Sequence, residues 1–198
     1  IIYDSLKVWG DNPFHLENRF EPLIFDEWID NINQAVWKDE FSDSDLADIT
    51  NSRIYPFDDV LAYFIKNDIR DDSYQSKWFD DITTSDIKED VYFIIWTAFL
   101  KTIESLQSEP NLMNKHFSDW EYSDLKGVDI RHLIGSDSFN AFSSLDVAVS
   151  GSKWSPNAMK VKYGPSWRYI VDLQADSIHA IGIYPGGQSG NPGSEYYD

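Results

Sequence analysis

Apolar positions recur with a helical period through the first two-thirds of the chain and in shorter, strand-like runs through the last third. Pro22 stands where a first-turn proline is tolerated, and Phe25, Trp28, Ile29, Ile32 and Val36 follow on one face. Asp58 and Asp59 open a second amphipathic stretch in which Val60, Leu61, Phe64 and Ile65 share a face. The clearest stripe runs through Ile87, Val91, Ile94, Ile95, Ala98, Phe99, Ile103 and Leu106. It predicts a helix that starts near Ser85 and ends before Pro110, with Asp86 and Glu89 early, where the helix dipole favours acids. Beyond residue 126 the runs 128–132, 145–149, 158–163, 166–173 and 178–184 read as strands. Trp167, Tyr169 and Val171 alternate with Arg168, Ile170 and Asp172, so the two faces of that strand are used differently. Gly164–Pro165 turns the chain before it and Ala175–Asp176–Ser177 after it, which predicts an antiparallel hairpin with 178–184. The stretch 185–193, rich in Gly, Ser, Asn and Pro, reads as a shaped loop. The expected class is α+β: a mainly helical region over 1–125, then an antiparallel β region over 126–198.

Composition narrows the function more than the fold. With 34 acidic against 16 basic residues the net charge is −18. Nucleic acid and anionic membrane surfaces are therefore excluded as partners, because phosphate would be repelled. Aromatic content of 16% supplies ample material for a packed interior. The absence of cysteine removes disulfides, thiolate catalysis and thiolate metal sites. No apolar run is long enough to span a bilayer. The chain opens on Ile1 without a start methionine or leader, so a mature, processed or excised piece is expected.

Few side chains form a chemical constellation. His15, His116, His132 and His179 show no metal-ligand spacing, and neither metal nor cofactor is expected. The doubled acids Asp58–Asp59, Asp71–Asp72 and Asp80–Asp81 lack the glycine and terminal glutamate of a calcium loop and read as solvated turns and helix starts. Ser189, between Gln188 and Asn191, has no histidine or acid placed beside it as in a nucleophile elbow, so a structural loop is expected there. Trp28, Trp37, Trp78, Trp96 and Trp120 could line a pocket for a hydrophobic acyl group, but most are expected in the core.

Three segments in order resemble the penicillin acylase (penicillin amidase) family: WEYSDLKGVDIRHLIG at 120–135, GPSWRYIVDL at 164–173, and YPGGQSGNPGSEYYD at 184–198. The first keeps Trp120, Tyr122, Leu125, Arg131, His132 and Gly135 and departs at Lys126 and Leu133, where the family commonly has His and Pro; the third is the most specific. The resemblance implies a self-processing N-terminal nucleophile hydrolase, cut from a precursor into two chains. The new N-terminal serine attacks a linear amide, its own α-amine acting as base. It also implies that the nucleophile and the oxyanion-hole Asn lie upstream of Ile1, so no catalytic residue is assigned here. Arg168 and Asp172, four apart on one strand face, are expected to support the active site of the intact enzyme; the alternative for them is a structural ion pair or surface charges on a half-exposed strand. On this reading the chain is the C-terminal part of the nucleophile-bearing chain and is inactive alone. Its partners are the rest of the same precursor, namely the first chain and the N-terminal part of the second. The export common in the family leans its location toward the extracytoplasmic side without fixing it. The competing expectation is a non-catalytic binding module, which would hide its apolar surface or show one compact patch, whereas a part of a larger enzyme would expose apolar faces and strand edges.

Overall fold

The computed structural model describes residues 1–45, 57–71, 73, 76–131, 140–141, 143–152, 168–174, 176–183, 189, 191 and 193–195. Helices come first: α1 (Ile2–Gly10), α2 (Glu21–Trp37), α3 (Phe57–Arg70), α4 (Val91–Ser108) and the one-turn α5 (Ser123–Lys126), with 3₁₀ turns at Lys77–Phe79 and Phe117–Asp119. Four strands follow, β1 (Val128–Ile130), β2 (Ser144–Val147), β3 (Arg168–Leu173) and β4 (Ile178–Ile183). They pair as two separate antiparallel two-stranded sheets, β1 with β2 and β3 with β4. The class is α+β, as the two periodicities predict. The expected strand 158–163, the turn Gly164–Pro165 and most of the loop 185–193 lie outside the described residues.

By compactness the chain groups into two units, Leu23–Phe117 and a discontinuous one made of Ile1–Pro22 with Ser118–Asp198. The helical unit is built on Ile32, Val36, Trp37, Leu61, Phe79, Val91, Ile94 and Ala98, all buried, with Trp28, Val60, Phe64, Ile65, Trp78 and Ile95 packed around them. Each fully buried Val, Leu, Ile or Phe among them contributes about 1.5–3 kcal/mol. Polar contacts fix how α2 meets α4. The Trp28 indole donates to the Ile95 carbonyl at 3.0 Å, and its ring meets Phe99 edge-on at 5.1 Å. One turn further along, the Asn31 amide donates to Thr102 Oγ1 at 3.0 Å inside the core. Thr102 in turn donates to the Ala98 carbonyl, so this buried pair is satisfied.

Helix α4 begins at Val91, not near Ser85. Residues 81–89 are held instead by local side-chain bonds: Asp81 accepts from the amide and hydroxyl of Thr83, and Thr84 Oγ1 donates to Glu89. Such bonds offer the backbone an alternative to the helix. Asp90, in extended conformation, then caps the helix by accepting from the Phe93 amide at 2.8 Å. Ile87, expected on the buried stripe, is left exposed in that loop.

In the discontinuous unit the segment 15–19 serves as a hub. The carbonyls of His15, Glu17 and Arg19 accept from the amides of Gly151 (2.7 Å), Ser123 (2.9 Å) and Tyr122 (2.8 Å). Glu17 also donates its amide to Ser150 Oγ, and the Ser150 hydroxyl donates back to the Glu17 carboxylate. The His15 ring stands edge-on between Trp9 and Tyr122, at 5.3 and 5.6 Å. Arg19 is gripped through two nitrogens by the buried carboxylate of Glu21, which pushes the guanidinium above its ordinary range. In the small sheet, Asp146 sits at a positive φ of 52° beside the bulge between β1 and β2. A Cβ at Gly127 would stand 2.5 Å from Asp146 Oδ1, so that carboxylate would have to move aside.

Leu61→Ala is expected to cost about 2–5 kcal/mol, because Leu61 is fully buried in the helical core. Lys66→Ala, on the exposed side of the same helix, should fall within about 0.5 kcal/mol of the parent. Urea denaturation with an unchanged slope checks both.

Candidate functional site

The expected supporting residues Arg168 and Asp172 both lie on β3, in register with Ile183 and His179 of β4. Directly paired residues share a face, so one face of this hairpin carries Arg168, Ile170 and Asp172 with Ile183, Ile181 and His179. The other carries Tyr169, Val171 and Leu173 with Gly182, Ala180 and Ile178. The Tyr169 ring lies over Gly182. Asp172 is exposed, and its Oδ2 accepts from Gln174 Nε2 at 2.7 Å. The side chain of Arg168 lies outside the described residues.

Both faces of the hairpin carry exposed apolar side chains, beside Asp172 and His179 on one of them. Ile170 and Ile181 on one face are 57% and 62% exposed; Leu173 and Ile178 on the other are 77% and 70% exposed. The apolar character stops at the turn, where Asp172, Gln174, Ser177 and His179 gather. There the Gln174 amide donates to the Ser177 carbonyl, and Ser177 Oγ lies 3.0 Å from His179 Nε2. No residue spacing for chemistry marked this group, since Asp172 and His179 are seven apart. The expected turn at 175–177, centred on Asp176, would set Asp172 opposite Ala180; the observed register, one residue shorter, sets it opposite His179.

The remaining candidates separate. His15 belongs to the aromatic cluster with Trp9 and Tyr122, His116 packs on Phe117, and His132 lies outside the described residues. Among the described residues no three His, Asp or Glu side chains gather as a metal site. No helix among them is long and apolar enough to cross a membrane. Ser189 accepts from the Asn191 amide, and Asn191 Oδ1 accepts from the Gly193 amide, the contacts of a shaped turn. Gln188 lies outside the described residues. Of the five tryptophans, Trp37 and Trp120 are buried, Trp28 and Trp78 half-buried, and Trp96 is 60% exposed on α4 beside Tyr92, Phe93 and Leu100. The buried Trp120 indole N–H meets no acceptor among the described residues.

The doubled acid Asp80–Asp81 is more than a solvated turn. Asp81 is buried and bonded to Lys38 at 2.7 Å, its amide donates to Glu89 Oε2, and Asp80 accepts from the Glu89 amide. Lys38 and then Thr83 hold the Asp81 carboxyl down from 3.8 to about 2.

A family model described as penicillin amidase matches residues 3–198. No curated protein matches the chain. No solved structure matches it.

Because the Asp81 carboxyl is depressed on folding, its stabilisation is complete above the ordinary carboxyl value and is lost as pH falls toward about 2. Thermal unfolding followed by circular dichroism should show a midpoint that drops across this window. Lys38→Met, which removes the main cause of the depression, should flatten the drop.

Proposed function

The chain belongs to the penicillin amidase family, and from that premise we propose that it forms part of an amidohydrolase that cleaves linear amide bonds with an N-terminal nucleophile. The observation that carries this reading is the β3–β4 hairpin. Ile170 and Ile181 stand open on one face and Leu173 and Ile178 on the other, and apolar residues on both faces of a strand pair are what a sheet covered on both sides carries. A two-stranded hairpin standing alone is marginal in water. The hairpin is therefore read as the inner part of a layered sheet completed by other strands of the same precursor. A second open apolar surface, Tyr92, Phe93, Trp96 and Leu100 on α4, points the same way. A self-sufficient binding module would show one compact patch; here each of the two units has its own open apolar surface.

In this reading these 198 residues supply scaffold, and the nucleophilic serine and oxyanion-hole Asn come from the N-terminal part of the same nucleophile-bearing chain, upstream of the residues matched here. The segments that carry the resemblance, 120–135, 164–173 and 184–198, do not contain them. The serine attacks the amide carbonyl while its α-amine takes the proton, and backbone and Asn donors hold the oxyanion. Arg168 and Asp172 are assigned to positioning of neighbouring groups through charge-assisted hydrogen bonds.

The test compares the processed full-length gene product with the isolated 198-residue chain on a phenylacetyl anilide. The processed product should release the aniline and the isolated chain should not. Cleavage by the isolated chain, or none by the processed product on a panel of aromatic and aliphatic acyl anilides, overturns the reading. In the processed product, Arg168→Met and Asp172→Asn should each lower kcat/KM about 10- to 100-fold, the scale of a small misplacement of reacting groups.

A further inference from the structure

We propose that residues 82–90 are a two-state segment: a loop clasped by the end of α2 in the structure and, once the clasp is released, the first turn of a longer α4. The loop is turned inside out. Its isoleucines stand in solvent, Ile82 at 67% and Ile87 at 59% exposed, while Glu89 and the neighbouring Asp81 are buried. Buried acids persist only where they are bonded, and two residues just past α2 supply the anchoring bonds. Lys38 Nζ reaches Asp81 Oδ2 at 2.7 Å, and Asp39 Oδ2 accepts from the Ile82 amide at 2.9 Å. Within the loop, Glu89 accepts from the Asp81 amide and the Thr84 hydroxyl, and its own amide donates to Asp80.

The same residues carry a second instruction. Val91, Ile94, Ala98, Thr102 and Leu106 form the buried stripe of α4, and Ile87, four residues before Val91, continues it. Asp86 and Glu89, three apart and just ahead of that stripe, have the spacing that opens a helix with a capping box. With Asp86 as the cap, Ile87 enters the stripe and the Glu89 carboxylate leaves the Asp81 amide for that of Asp86. Val91 and Tyr92, whose first-turn amides have no intrahelical acceptor as α4 now begins, gain the carbonyls of Ile87 and Lys88, and the Asp90 amide gains that of Asp86. Asp90 in exchange gives up its cap on Phe93. Glu89 serves either state and cannot serve both. The clasp decides between them: with Lys38 on Asp81, Ile87 stays at the surface, and without it Ile87 is withdrawn into the stripe. The segment thus changes the apolar surface that the helical unit shows, independently of the hydrolytic reading above.

The experiment measures amide hydrogen exchange on the processed full-length gene product by mass spectrometry, with fragmentation that resolves residues 86–93. In Lys38→Met the Asp90, Val91 and Tyr92 amides should exchange several-fold more slowly than in the parent. Thr84→Val, a milder release that leaves Lys38 in place, should move exchange the same way to a smaller extent, and it carries the test if Lys38→Met does not fold. Adding Ile87→Asp to either variant should return exchange to the parent rate, because a charge cannot enter the buried stripe. In the parent the same substitution, at an exposed loop position, should leave exchange unchanged. Faster exchange throughout 82–92 in the released variants, the mark of a loop that merely comes loose, overturns the proposal. So does slower exchange that survives Ile87→Asp, and so does a pattern unchanged in both variants. Anilide cleavage does not enter this readout, so the amidase reading and this one fail separately.

Discussion

Three carbonyls spaced two residues apart, those of His15, Glu17 and Arg19, hold the discontinuous unit together. Their donors come from Gly151, Ser123 and Tyr122, more than a hundred residues further along the chain. The stretch turns at Glu17–Asn18, where the Arg19 amide donates to the Leu16 carbonyl at 3.2 Å, and its other carbonyls are left to accept from several later elements at once. The interaction of Glu17 with Ser150 and the placing of the His15 ring between Trp9 and Tyr122 reinforce the same junction. Without it, residues 1–22 have no place in the unit, and α5 and the segment after β2 lose the partners of their backbone donors. Loop closure over such a length costs entropy that only many cooperating contacts offset.

The opposite condition holds at the β3–β4 hairpin, whose backbone is paired along six registered positions while its side chains remain open on both faces. A strand satisfies its hydrogen bonds with one neighbour on each edge, but its apolar faces are satisfied only by layers above and below. The hairpin has the first in part and lacks the second. The proposed function would account for this physically: in an enzyme assembled from two chains of one precursor, a strand pair inside the layers carries apolar residues on both sides. Helix α4 shows the same economy, with Val91, Ile94, Ala98 and Leu106 buried and Tyr92, Phe93, Trp96 and Leu100 left open.

What could be read from sequence followed from local period. The 3.6-residue stripes located α2, α3 and the body of α4, and alternation located β3 and β4 with their pairing. Non-local and polar features escaped. The grouping of 1–22 with 118–198 rests on backbone bonds that no side-chain pattern encodes. The start of α4 was displaced because Asp81, Thr83, Thr84 and Glu89 bond locally, which an apolar stripe does not register. Asp81, taken as a solvated turn acid, is buried because Lys38, at the end of a different helix, reaches it. Helix α1 was not singled out, although Ile2, Leu6 and Trp9 follow at helical spacing, the first two half-buried and Trp9 buried, while Tyr3 and Val8 lie exposed.

The same distinction explains why the hairpin's polar end was invisible while its strands were not. Asp172 was singled out with Arg168 because four residues along a strand return to one face. His179 was set aside because its spacing to other histidines carries no ligand signal. Their juxtaposition is a property of the turn between them: closing the Gln174 amide onto the Ser177 carbonyl fixes the register, and the register alone sets Asp172 opposite His179. Shifting that turn by one residue would move His179 and Ser177 to the face of Leu173 and Tyr169, away from Asp172. The gathering of polar groups at this end of the hairpin therefore depends on turn geometry more directly than on the identity of any single residue within it.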